Sequence, residues 1–155
     1  MLTVRVAPGA LGAVTTWPDS RWPESVREEI LQHLERSYPQ EGCGVILRGP
    51  EGDSWRVCPL RNASPCPTRA YAFAPEDWLS LCLQAESRGE QVASVFHSHV
   101  DAPPTFSAED RAQAAPSGHP LLPGVSYLIA SVHRGRVVWV SEYEWRGGDF
   151  QTRRV

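Results

Sequence analysis

Several absences narrow what this chain can be. No apolar run approaches the roughly 20 residues needed to span a bilayer, so the sequence holds no candidate membrane helix. A basic stripe is missing too. The net charge is -3, the arginines are scattered, and the longest basic cluster is the pair Arg153-Arg154, which argues against a nucleic-acid partner. The four cysteines (Cys43, Cys58, Cys66, Cys82) form no CxxC pair and read as thiols rather than bridges. The N-terminal stretch lacks the basic start and continuous apolar core of a signal peptide, so the expected location is cytoplasmic. With no internal repeat and no low-complexity linker, the 155 residues read as a single domain, with a core over about 23–145 and a strand-and-loop extension over 1–20.

What is present alternates between strand and helix patterns. Leu2, Val4 and Val6 suggest an edge strand followed by a loop. Pro23 suits the first position of a helix, and Val26, Ile30, Leu31, Leu34 and Tyr38 recur at helical spacing until Pro39 ends the segment. Val45-Ile46-Leu47 and Trp55 to Cys58, separated by the turn-forming Gly49 to Asp53, read as a hairpin. Asn62 to Thr68 is a Pro-rich loop, and Tyr71-Ala72-Phe73 is a short strand candidate. A second helix begins at Pro75 with Trp78, Leu81, Cys82 and Ala85 on one face, and Gly89 stops it. Val92 to Phe96 reads as a buried strand delivering His97. Ser107 opens a short helix that Pro116 ends, and strands over 125–132 and 136–142 flank the turn His133-Arg134-Gly135. This order predicts an α/β or α+β fold, a mixed sheet sandwiched by helices.

The chemistry concentrates in HSHVDAPPTFSAED, that is H-x-H-x7-S-x2-D. His97 and His99, one residue apart at a strand end, project to the same side. Asp110, brought back by a turn that Pro103 and Pro104 stiffen, supplies a third ligand. Two His and one Asp with an open fourth position is a ligand set of catalytic zinc. Each part has a plainer reading when taken alone. The histidines pass as polar loop residues, Ser107 to Asp110 as a helix cap with an acid at its third position, and Glu41 as a solvated carboxylate. Zinc chemistry also needs a base for the water proton. Glu41, in PQEGCGVILRG before a predicted strand, is the candidate, with Gly42 and Gly44 letting the backbone turn closely there.

These residues resemble the signature of the JAMM (MPN+) zinc peptidases and isopeptidases. Glu41 with Cys43-Gly44 is similar to the family's E-x-C-G-like context, and His97, His99, Ser107 and Asp110 match the rest in identity and spacing. The segments Pro59–Asn62, Tyr71–Glu76 and Tyr127–Ser131 extend the resemblance over roughly 23–145. Val100 and Phe106 stand where the family often has proline. The resemblance implies a cytidine-deaminase-like layered fold, zinc held by His97, His99 and Asp110, and Glu41 passing the water proton to the leaving amine. It implies that Ser107 donates to the tetrahedral oxyanion. The short chain is more similar to compact stand-alone prokaryotic members, some of which trim ubiquitin-like sulfur-carrier proteins. The implied substrate is therefore a ubiquitin-like or sulfur-carrier protein with a Gly-Gly tail.

A peptide bond after a sulfur carrier, a lysine-linked isopeptide and a cell-wall or amino-acid-conjugate amide remain open, as does a homodimer through an exposed sheet edge. The main alternative is a non-catalytic scaffold of the same fold. A nucleobase deaminase fits less well, because HSH replaces H-x-E and Pro65-Cys66 has no following x-x-C.

Overall fold

A computed structural model describes residues 22–153 and, as backbone only, the pairs 2–3, 5–6 and 13–14. The elements run β1 (Leu2–Thr3), β2 (Arg5–Val6), β3 (Ala13–Val14), α1 (Glu24–Ser37), β4 (Cys43–Arg48), β5 (Trp55–Leu60), α2 (Pro75–Ser87), β6 (Gln91–Val100), α3 (Ala108–Ala114), β7 (Ser126–His133), β8 (Arg136–Arg146) and β9 (Asp149–Thr152). Seven strands form one mixed sheet in the order β1-β8-β7-β6-β4-β5, with β9 also pairing β8; β2 and β3 pair separately. The expected N-terminal edge strand is found in the pieces β1 and β2; Val4, between them, lies outside the described residues.

Alternating side chains split the sheet between two cores. Ile46, Phe96, Leu128, Ala130 and Val132 face α1, where Trp22, Val26, Ile30 and Leu34 cover them. Cys43, Val45, Leu47, Val95 and Tyr127 face the other way, against Leu81 and Ala85 of α2 and Ala114 of α3. The helical spacing expected for α1 and α2 is the spacing of these buried faces, and helices on both sides of a mixed sheet are the expected architecture. No helix of the described residues is long and apolar enough to cross a membrane.

Three details differ from expectation. Strand β6 does not stop at Phe96 but continues to Val100, pairing His97 with Ile129 and His99 with Ser131 of β7, so both histidines lie inside the strand. Tyr71–Phe73 is not a strand; the Ala72 N–H goes to the Asn62 side chain, which takes the place of a ladder partner. Strand β9, not foreseen, returns along β8 after Gly147-Gly148, whose φ values of +65° and +84° suit a two-residue hairpin turn.

The parallel β6–β7 pair positions the site. Parallel neighbours need a crossover, and α3 lies in this one. Its N-terminus therefore returns beside the C-terminal half of β6, where ligands commonly bind in open sheets.

Candidate metal centre

His97 and His99 share the face of β6 that carries Val95, and Ser98 points to the opposite face. Ser98 is fully buried and its hydroxyl accepts the Gly42 N–H at 2.8 Å, tying the segment after Glu41 to β6. Gly42 and Gly44 are needed for close packing rather than for an unusual turn. A Cβ on Gly44 would lie 2.5 Å from the Phe96 ring and 2.6 Å from the Cys58 carbonyl oxygen. One on Gly42 would lie 2.7 Å from Ser37 Oγ.

Asp110 arrives from the first turn of α3. The expected cap forms: Ser107 Oγ accepts the Asp110 N–H and Asp110 Oδ2 accepts the Ser107 N–H, both at 3.0 Å. The same carboxylate faces both imidazoles. Asp110 Oδ1 lies 3.2 Å from His97 Nε2, Oδ2 lies 3.2 Å from His99 Nε2, and the two Nε2 atoms are 3.2 Å apart. Capping and clustering thus use one side chain.

These separations fit a metal. Zinc bound at about 2.0–2.1 Å in a tetrahedron holds its ligand atoms about 3.3–3.4 Å from one another. The donor chemistry agrees. His99 Nδ1 lies 2.7 Å from the Pro103 carbonyl, which can only accept, so the neutral ring carries its proton there. Its Nε2 lone pair then faces a carboxylate and a second imidazole nitrogen, and that convergence calls for a cation. The triangle of His97, His99 and Asp110 has the composition and size to hold one.

Neighbouring groups set the electrostatics. Burial would raise the Asp110 carboxyl, but its contacts with His97, His99 and the Ser107 N–H outweigh that and hold it well below the usual range. Burial lowers His97, which is wholly enclosed and stacked 4.2 Å from the Tyr71 ring. For His99 burial pulls downward, but the bonds to Asp110 and Pro103 win and raise it. Glu41, 6% exposed, is pushed up to about 7 by burial; His99 opposes this, while Asp110 and Glu109 add to it. Burial pushes Cys43 up to about 12, which makes it an inert packing thiol.

Glu41, Thr68, Arg69, His99, Ser107 and Glu109 line a cleft of about 490 Å³. The structure thus brings all five expected residues to one place, the triangle at the base and Glu41 and Ser107 in the walls. Other polar residues near the motif stay apart from the cluster. Asp101 takes Tyr38 Oη at 2.8 Å and the Arg134 N–H at 2.9 Å. His119 is exposed, and His133 pairs with Asp101.

Sequence reasoning gave no role to the residues that build the cleft. Asn62 is a hub: its Nδ2 donates toward the carbonyls of Glu41 (2.9 Å), Ala70 (2.9 Å) and Pro67 (3.3 Å), and its Oδ1 accepts from Ser64 and Ala72. Three consecutive carbonyls of the loop after β6 are each held by a side chain: Ala102 by Ser131 Oγ, Pro103 by His99 Nδ1 and Pro104 by Tyr143 Oη. Only the Asn62-to-Ser64 bond, a local Asx turn, has a sequence signal.

Comparisons with known proteins establish the family. A desampylase from Haloferax volcanii is 32% identical over 130 residues, 81% of this chain and 86% of that protein. A CysO-cysteine peptidase from Mycobacterium tuberculosis is 34% identical over 73 residues, 46% of this chain and 49% of that protein. The solution structure of a protein from Desulfitobacterium hafniense superposes with a TM-score of 0.64 at 27% identity, covering 84% of this chain and 87% of that one. Residues 23–145 match the family described as prokaryotic homologs of the JAB domain, and the chain belongs to that family.

Proposed function

We propose that this protein is a zinc-dependent metallopeptidase that hydrolyses a peptide or isopeptide bond at the C-terminus of a ubiquitin-like or sulfur-carrier protein with a Gly-Gly tail. The observation that carries this reading is the cluster in which the two imidazole Nε2 atoms lie 3.2 Å apart and each lies 3.2 Å from one oxygen of the Asp110 carboxylate, with the buried Glu41 in the neighbouring cleft wall. The names of the desampylase and CysO-cysteine peptidase relatives support the substrate class.

His97, His99 and Asp110 would hold the ion, which when bound supplies Lewis acidity to the scissile carbonyl and acidifies a water. Glu41 is raised toward neutrality, so it can accept the proton of the attacking water and then release it to the leaving amine. Ser107 uses a lone pair to accept the Asp110 N–H, which leaves its O–H proton free to donate to the tetrahedral oxyanion. Cys43 takes no part as a nucleophile. A scaffold role would leave the converged ligands without a task.

The test is metal analysis and mass spectrometry of ubiquitin-like proteins ending in Gly-Gly-X after incubation. The purified protein should carry about one zinc, and Glu41→Gln should keep the metal and lose cleavage. Equal turnover by the variant and the wild type contradicts the base assignment.

A further inference from the structure

The two histidines of the cluster are held in different ways. His99 is fixed by a hydrogen bond, since its Nδ1 lies 2.7 Å from the Pro103 carbonyl. His97 has no such anchor. It is wholly buried, and its Nδ1 has no hydrogen-bond partner among the described residues. A metal-bound histidine ordinarily donates its second ring N–H, and that bond fixes the tautomer and the ring orientation. The torsion that turns an imidazole is broad, so a ring without the bond needs another restraint. The coordinating lone pair lies in the ring plane, and a tilt of the plane carries it off its target.

Tyr71 supplies a restraint. Its ring stacks on the His97 ring, with centroids 4.2 Å apart and planes 24° apart. Tyr71 is buried and is itself held on several sides. Its carbonyl accepts Gln113 Nε2 at 3.2 Å, from the helix that carries Asp110. The residues before and after it bond to Asn62, through the Ala70 carbonyl at 2.9 Å and the Ala72 N–H at 3.2 Å. Phe73 packs edge-on against its ring at 5.6 Å. Tyr71 is thereby tied to α3 and to the Asn62 loop together.

We propose that Tyr71 is a positioning residue for the metal centre: its stacked ring holds the His97 imidazole in the plane that aims Nε2 at Asp110 and His99, in place of the hydrogen bond that Nδ1 lacks. This rests on the zinc-hydrolase reading above and adds a residue to its metal centre. The tyrosine face also suits the task electronically. It is electron-rich, and an imidazole that gives its lone pair to a cation becomes electron-poor, so the stack strengthens when an ion binds. An aliphatic side chain in place of the ring loses the stack and its electron-rich face, whereas phenylalanine keeps both.

The test is zinc affinity, measured by competition with a chromogenic chelator. Tyr71→Phe should bind zinc as the wild type does. Tyr71→Leu should bind about ten- to a hundredfold more weakly, the effect typical of removing a group that orients a metal ligand. Ile30→Ala, in the core on the other face of the sheet, controls for lost stability and should keep the wild-type affinity. An affinity unchanged in Tyr71→Leu, or lost equally in Tyr71→Phe or in Ile30→Ala, overturns the proposal and leaves the metal centre standing. A measurement on the wild type keeps the test independent of whether Tyr71→Leu folds. In the NMR spectrum of the zinc-loaded protein, the His97 Nδ1–H proton should resonate upfield of the hydrogen-bonded His99 Nδ1–H. A His97 proton as far downfield as that of His99 reveals a hydrogen bond restraining the ring and overturns the proposal. Failure of the wild type to bind zinc counts against the metal centre itself and removes the proposal with it.

Discussion

Glu41 shows how much a single side chain depends on its surroundings. In its proposed role as a base it must be ionised; burial lifts its carboxyl to about 7, so the protonated form, which cannot take up a proton, dominates below that pH. We predict that kcat/KM falls as pH drops through this range, with the positive charge of a bound ion drawing the limb to lower pH; a profile flat down to pH 4 would contradict the role. Asn62 works through geometry instead. Asn62→Ala removes the side-chain partner of the Glu41 and Ala70 carbonyls and of two N–H groups, while the Pro67 carbonyl keeps the Glu41 N–H; it should destabilise the fold by about 2 kcal/mol in denaturant titration and lower kcat through the displaced Glu41 backbone. The proposed ligand residues could be picked out in the sequence because their spacing is local to one strand and one helix cap. Asn62 was not, because four of its five partners lie five to twenty-one positions away and have no pattern of their own.

Strand β6 and helix α3 are joined by a loop whose shape decides whether Asp110 meets the imidazoles. Phe106, which stands where the family often has proline, anchors that loop by packing 4.6 Å from Phe150 and 5.3 Å from Tyr143. Arg111 of α3 pairs with Asp149 of β9, so the unforeseen last strand also braces the site. Phe106→Ala should cost up to about 3 kcal/mol, since the ring is only half-buried, and should weaken zinc retention against a chelator more than an equally destabilising change on α1. The sequence signalled where β6 and α3 begin; it did not signal that β6 runs on through both histidines. That extension comes from pairing with β7, a partner about thirty residues away. The same reason explains Tyr71–Phe73, whose strand-like residues find Asn62 in place of a sheet edge.

For the whole molecule, β4, β6 and β7 are buried on both faces between two cores, so they read as apolar runs, and their order among the helical periods made the mixed α/β architecture legible in the sequence. The polar network inside it was hidden. Glu142 on β8 is 1% exposed and accepts Ser126 Oγ at 2.5 Å and Trp22 Nε1 at 3.4 Å, linking β8 to β7 and to the chain entering α1. Glu142→Ala removes a buried acceptor from this network and should lower stability by about 2–3 kcal/mol in a denaturant titration, with zinc stoichiometry unchanged at temperatures where the fold persists. The central claim, that one strand and one helix cap bring three donors to a single ion, is tested most directly by a crystal structure of the zinc-loaded protein using anomalous scattering. It should show one ion with His97 Nε2, His99 Nε2 and an Asp110 carboxylate oxygen about 2.0–2.2 Å away and an open fourth position toward Glu41. An ion bound elsewhere, or one that Asp110 does not touch, would contradict it.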